Sequence, residues 1–293
     1  MSDAAQGEPR SHEVFRAPFK VEPVYESKAT PPNYRRYPGG KQLPDHIKVW
    51  RVQNSGKSYG SVVSASFGFE DSPDAEILTP GFNEGKESGA VGVGRHGNFL
   101  QWGFSCAPSQ MTEAGRCFFL NCVCYIRKFD GKAPLVRVRA NDRTYAVFLA
   151  SLLNTIKDPR FATNTFAPEL LSKYNSDPDG LSKHYANHLE LVYRDKVFRV
   201  DDELAGLGVA SNRRTETLQR LAELLDDPAR ATAAHNALKR YTSESFSTRA
   251  EWQAWLDKNR GRIFFSDIGG YKFFVTPEGY AQSEAAPVAA PAR

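Results

Sequence analysis

The sequence lacks any apolar run of about 18 residues or more, so it predicts no membrane-spanning helix. Its first residues also lack the apolar segment of a signal peptide, so no export signal is predicted. The compartment stays open, because a protein whose signal peptide has been removed would look the same. The chain does not have the composition of disorder either: 41% hydrophobic and 12% aromatic residues predict a packed core.

Cysteine is scarce, with four residues in 293. Cys117, Cys122 and Cys124 fall on a predicted helix, where they point in different directions or lie about 10 Å apart along the axis, too far for a disulfide. Cys106, on the preceding loop, is the one cysteine that could bridge to them. No paired spacing suggests a zinc site, so we expect the three helical cysteines to be buried thiols.

An excess of either charge is also lacking, since the net charge is only +4. Residues 127–143 carry six basic and two acidic side chains, which accounts for the whole surplus. A nucleic-acid-binding domain usually has a pI above about 9 and basic groups interleaved with several aromatic residues, whereas this stretch contains one aromatic residue, Phe129. The sequence therefore predicts an ion-paired surface and no nucleic-acid binding.

Hydrophobic periodicity changes near Asn141. Before it, the segments 47–52, 90–93 and 99–104 alternate with period two and are separated by glycine and proline. One apolar helix is predicted to follow, with Ser109 or Thr112 as its capping residue. After it, five segments have the 3.6-residue period of helices, and 262–276 has two strands around Gly269 and Gly270. We predict an α/β or α+β N-terminal domain and a small helical C-terminal domain closed by a β-hairpin.

The predicted organisation has five parts. These are a mobile arm at 1–17, the sheet domain at 18–140, a connecting segment at 141–180, the helical domain at 181–280 and a disordered Ala/Pro tail at 281–293.

The loop between a predicted strand and a predicted helix could carry a catalytic nucleophile. Gly103-Phe-Ser105-Cys-Ala107 resembles a nucleophile elbow, with Ser105 as candidate nucleophile and His96 as the nearest candidate base in sequence. Against this, alanine replaces the final glycine and Pro108 removes a backbone donor. A loop serine is the simpler interpretation of the pattern.

Two segments could bind a divalent metal. His184 and His188 share one face of a predicted helix, and Asp177 and Asp179 lie in a turn that resembles the start of a calcium loop. The twelfth position of that loop is Ala186, so the ligand set is incomplete. Four acidic residues in 70–76 form a further candidate acid/base or cation group, and a solvated acidic turn is the simpler interpretation.

No cofactor is predicted. The glycine pattern over 92–97 fits a dinucleotide fingerprint, but a strand follows it where a helix is required. Trp50, Trp102 and Arg95 are the candidate binding residues, because indole rings stack on sugars and arginine pairs with anions.

Two stretches resemble known families. The acidic segment at 70–76, the strands from Gly89 to Phe104 and the helix to Asp130 resemble the closing part of trehalose-utilisation-type domains, which have the class I glutamine amidotransferase-like fold. The stretch from Thr215 to about 276 resembles HEAT-like helices of uncharacterised secreted bacterial proteins. The amidotransferase Gly-x-Cys-x-Gly elbow and its His-x-Glu partner are missing, so the resemblance implies the fold without that catalysis.

We therefore predict a non-catalytic binding or scaffold protein whose ligand is a protein or a glycan. The alternatives are a hydrolase using Ser105 and a divalent-metal protein using His184 and His188. The sequence leaves the oligomeric state open.

Overall fold

The computed structural model describes residues 3–7, 11–37, 39–56, 63–66, 68–69, 72–136, 140–156, 158–174, 177–278 and 280. Their contacts form two compact units, which divide between Leu135 and Val136. Helices and small antiparallel sheets occur together, so the fold is α+β, one of the two classes that the sequence predicts. The described residues contain no helix that is both long and apolar enough to cross a membrane.

The first unit contains two three-stranded antiparallel sheets. Strands β1 (Ala4–Gln6), β3 (His46–Arg51) and β2 (Tyr25–Ala29) form one sheet in that order. Strands β4 (Ala75–Pro80), β5 (Val91–His96) and β6 (Phe99–Trp102) form the other, of which the sequence predicts the β5–β6 hairpin but not β4. The core between them includes Ala5, Trp50 and Val93.

Helix α1 (Glu113–Ile126) packs on this core through Phe118 and Cys122. Thr112 caps it, as predicted, by accepting a hydrogen bond from the backbone N–H of Gly115. A Cβ on Gly115 would lie 2.0 Å from the carbonyl oxygen of Val52. Only glycine therefore allows the start of α1 to approach the end of β3 this closely.

The described residues before β2, several of which fall in the segment 1–17 that is expected to be a mobile arm, pack against this core. Strand β1 pairs with β3, and Val14 and Phe15 are almost completely buried. The side chain of Asn121 fastens the segment to α1: its amide donates to the carbonyls of Val14 and Phe19 at 2.8 and 2.7 Å, and its oxygen accepts from the N–H of Phe19. This buried amide therefore joins the residues around Val14 and Phe19 to α1.

The second unit is mainly helical. It contains α2 (Thr144–Ser151), α3 (Pro159–Thr165), α4 (Pro168–Lys173), α5 (Pro178–Asn187), β7 (Val192–Arg194), β8 (Phe198–Val200), α6 (Asp202–Gly206), α7 (Thr215–Leu224), α8 (Ala231–Tyr241), α9 (Arg249–Lys258), β9 (Ile263–Ser266) and β10 (Lys272–Val275). The sequence predicts the longer helices and the last hairpin but not the β7–β8 hairpin. The predicted connecting segment 141–180 supplies Ala146, Ala150 and Phe166 to a core cluster.

The C-terminal hairpin has one inward and one outward face. Phe273 pairs with Phe265 across the strands and is 3% exposed, whereas Phe274 pairs with Phe264 and is half-buried. Its turn differs from the predicted one: the left-handed residues are Gly270, with φ +91°, and Tyr271, with φ +58°, and not Gly269. Arg143 braces the turn by donating to both carboxylate oxygens of Asp267.

Candidate functional site

The structure does not bring Ser105 and His96 together. Gly103 bonds to Gly92, whereas His96 pairs with Phe99 at the other end of strand β5. Four residues of a strand span about 13 Å. Ser105 is exposed beyond the Gly103 end, so His96 cannot serve it as a base in this conformation.

Two of the predicted metal ligands, His184 and His188, lie in contact with each other. The rings of His184 and His188 lie with centroids 4.5 Å apart on α5, and Nδ1 of His188 is 2.8 Å from the carbonyl oxygen of His184. Burial, followed by the neighbouring His188 and Lys173, lowers the pKa of His184. Asp177 caps the helix by accepting from the N–H of Gly180. Within the described part of the chain, no group of three or more His, Cys, Asp or Glu residues could hold a metal.

The candidate binding residues Trp50 and Arg95 lie inside the first unit, with 0% and 1% of their surface exposed. Trp102 is half-buried and packs edge-on against Phe104 and Phe119. None of the three offers the open ring face or free guanidinium that a glycan or anion site requires.

The acidic segment at 70–76 is not a solvated turn where it is described. Glu70 and Asp71 lie outside the described residues, and Asp74 and Glu76 are buried, with 1% and 7% of their surface exposed. Asp74 accepts hydrogen bonds from the hydroxyl of Ser72 and the N–H of Leu135. Both carboxylates therefore have internal partners.

Glu76 is the centre of a buried polar cluster that we call the Glu76 lock, formed by Glu76, Arg95 and Tyr125. Glu76 and Arg95 are opposite each other on β4 and β5, and Arg95 Nε donates to Glu76 Oε1. The hydroxyl of Tyr125, on α1, donates to the same oxygen. Arg95 also donates to the carbonyls of Asp74 and Gly97, at 2.9 and 3.0 Å. The lock thus joins the second sheet to the inner face of α1.

Two histidines lie at the edge of the lock. Nε2 of His12 is 3.4 Å from Glu76 Oε2, and its Nδ1 accepts from the N–H of Val14. His12 thus contacts both Glu76 and the backbone of the chain before β2. Nε2 of His96 is 3.6 Å from Asp74 Oδ1, just beyond hydrogen-bond distance.

The lock holds fixed charges rather than a titrating catalytic group. Burial alone would raise the pKa of Glu76, but hydrogen bonds from His12, Arg95 and Tyr125 outweigh it and lower the pKa to about 2. Burial, and then the neighbouring Glu76, raises the pKa of Tyr125. At neutral pH the carboxylate is ionised and the phenol protonated, so the cluster is suited to fixing α1 in place.

The outward side of α1 has a different character. We call Glu113, Arg116, Leu120, Val123, Cys124 and Arg127 the α1 outer face. Leu120 and Val123 are 46% and 42% exposed, and they are two of the five large exposed hydrophobic residues in the described ranges. Cys124 is also exposed, which makes the prediction of three buried helical thiols wrong at this position; Cys122 is buried and Cys117 half-buried.

Phe19, a third exposed hydrophobic residue, is held to α1 through its backbone. It is 45% exposed, and both of its backbone polar groups bond to Asn121 on the inner side of the helix. The remaining two, Val24 and Phe99, lie outside α1. Exposed hydrophobic residues that occur singly need no explanation, but Leu120 and Val123 lie one turn apart on one helix, which suggests a contact surface.

Comparison with known proteins adds no assignment. No family model matches the chain, and neither a curated protein nor a solved structure is significantly similar to it. The resemblances to trehalose-utilisation-type domains and HEAT-like helices therefore stay predictions.

Proposed function

We propose that the protein is a non-catalytic binding protein that engages a protein partner through the α1 outer face. The observation that carries this proposal is the pairing of Leu120 and Val123, both exposed, with the flanking guanidinium groups of Arg116 and Arg127. Apolar side chains one turn apart on a rigid helix are the usual anchors of helix-mediated recognition.

A protein fits this surface better than a glycan does. Sugar sites use exposed aromatic rings as platforms, whereas the exposed side chains of α1 are aliphatic. Arg116 and Arg127 also favour a partner that places an acidic residue beside its own apolar stripe.

Contacts inside the first unit hold α1 in the orientation that exposes its outer face. The Glu76 lock holds the helix at Tyr125, and Asn121 holds it to the segment that carries Phe19. A helix fixed in this way binds with a smaller ordering cost, because its backbone is already in place. The separation of Ser105 from His96 leaves the hydrolase alternative without its base.

The test is a titration with a designed helical peptide of about 20 residues, whose leucine stripe is flanked by glutamates. A second peptide with lysine in place of each glutamate is the matched control. We expect the acidic peptide to bind with a Kd of order 100 μM and the basic peptide about tenfold more weakly.

The protein variants locate the binding. Leu120→Glu should abolish binding of the acidic peptide, whereas Val24→Glu, which changes an exposed aliphatic residue outside α1, should leave it unchanged. Failure of both peptides to bind, or equal binding by the Leu120→Glu variant, would overturn the proposal.

A further inference from the structure

We infer that the α1 outer face pairs with the same face of a second copy of this chain, in an antiparallel arrangement with a two-fold axis at Leu120. This inference rests on the proposed function, since it uses the same surface, and it names the partner. The evidence is the order of charges along the helix.

Glu113, Leu120 and Arg127 are separated by seven residues each, so they lie almost on one line along α1. Arg127 keeps helical backbone angles, with φ −60° and ψ −24°, and so continues that line. The acidic residue is at the start, the apolar residue in the middle and the basic residue at the end. A surface of this kind is complementary to its own antiparallel copy.

A two-fold axis through Leu120 determines each neighbour. Because Leu120 is midway between the charged residues, Glu113 of each copy faces Arg127 of the other, and the two Leu120 side chains meet at the centre. Val123 then lies beside the stem of Arg116 of the second copy, and Cys124 lies beside Cys117 of the second copy. A parallel pair would instead place Glu113 against Glu113 and Arg127 against Arg127, so the charges select the antiparallel direction.

Glu113 is available for this role although it already has a neighbour. It pairs with Arg116 on the same helix, but the two side chains are 78% and 46% exposed, and pairs of this kind contribute little. A carboxylate has two acceptor oxygens and can accept from both guanidinium groups. The existing pair therefore need not break when the second copy binds.

The two helices would bury a small area, so we expect the dimer to be weak. A helix of 14 residues is about 21 Å long, and a pair of such helices buries less than the roughly 1,200 Å² of a standard interface. We therefore expect a reversible dimer with a Kd of order 100 μM, visible by sedimentation equilibrium of the full chain from about 10 μM to 1 mM.

Charge reversal tests the direction and register. Glu113→Arg and Arg127→Glu should each raise the dimer Kd about tenfold, because two attractive pairs become repulsive, and the combined variant should restore the original Kd within about threefold. Both substitutions are unfavourable to the dipole of the helix itself. Restoration in the combined variant therefore cannot come from a more stable α1.

Two further variants locate the axis. Leu120→Glu should raise the Kd more than tenfold, whereas Val24→Glu should not change it. Leu120→Cys, with Cys117 and Cys124 replaced by serine, should form a disulfide-linked dimer on mild oxidation, because the two Leu120 positions meet on the axis. Circular dichroism melting confirms that each variant is folded.

The possible results distinguish failure of the dimer from failure of the proposed function. A chain that remains monomeric at 1 mM overturns the dimer, while binding of the acidic peptide by that monomer would leave the proposed function standing. A dimer that the combined charge variant does not restore, or that Leu120→Cys does not cross-link, refutes the antiparallel register.

Discussion

Replacing Glu76 by glutamine should destabilise the first unit strongly at neutral pH and weakly in acid. Glutamine keeps the size of the side chain but removes the charge that Arg95 and Tyr125 address. Arg95 is 1% exposed, so the variant leaves a buried guanidinium without its counter-charge. Removing one partner of a buried ion pair costs about 3–5 kcal/mol.

The pKa of Glu76 gives a second value for the contribution of its carboxylate to the free energy of unfolding. The pKa of Glu76 falls from 4.5 in the unfolded chain to about 2 in the folded one, a difference equivalent to about 3 kcal/mol. A lowered folded-state pKa means that the contribution is complete above pH 4.5 and is lost as the pH falls from 4.5 towards 2. The pKa of Asp74 is also lowered, so its contribution to the free energy of unfolding is lost in acid as well. Because Asp74 is present in both proteins, its contribution cancels when the variant is compared with the wild type.

Urea unfolding of the wild type and of Glu76→Gln, measured from pH 7 to pH 2, separates the two contributions. The difference in the free energy of unfolding should be constant above about pH 5 and shrink by about 3 kcal/mol towards pH 2. Glu113→Gln, at an exposed position, is the control and should match the wild type. A Glu76→Gln variant as stable as the wild type at pH 7, or a difference that does not vary with pH, would refute the reasoning.

Three more outcomes are expected. Phe273→Ala should lower the free energy of unfolding by about 3–5 kcal/mol in urea titrations, and Phe274→Ala by clearly less, because only Phe273 faces the core; equal losses would contradict this orientation. Gly270→Val should lower the melting temperature, because valine at φ +91° costs about 1–2 kcal/mol of backbone strain. Gly269→Val should also lower it, because the added Cβ would lie 2.5 Å from the ring of Phe274 and clash with it. A thiol reagent should label Cys124 in the native protein and Cys122 only after unfolding, because burial raises the pKa of the Cys122 thiol; early modification of Cys122, identified by mass spectrometry, would show that α1 opens.

The elements that the sequence predicts are those whose signals are local. The hairpin at 262–276 has two pairs of phenylalanines around a Gly-Gly pair, and α1 has the capping residue Thr112 immediately before its apolar face. Each signal lies within one element and does not depend on the rest of the chain. Strand β4 has no such signal, because Ala75–Pro80 contains both glutamate and proline.

The Glu76 lock could not be predicted for a related reason. Its members are separated by 19 and 49 residues in the sequence and meet only after β4, β5 and α1 have packed. A carboxylate in an acidic segment indicates solvent exposure when no partner is known. The one available signal is Arg95, a charged residue that directly follows the apolar run of β5, where an unpaired guanidinium would be costly.

The two sides of α1 depend on each other through this arrangement. On the inner side, Tyr125 and Asn121 are held by directional hydrogen bonds, so the helix cannot rotate about its axis without breaking them. A rotation of about 100° moves each residue to the angular position of its neighbour, which would turn Leu120, Glu113 and Arg127 together out of their present exposed positions. Polar contacts are therefore better suited than apolar packing to orient this helix, because an apolar face tolerates small rotations whereas hydrogen bonds do not. The buried hydrogen bonds of Tyr125 and Asn121 thus keep Leu120 and the charged residues of the α1 outer face on the outward side of the helix.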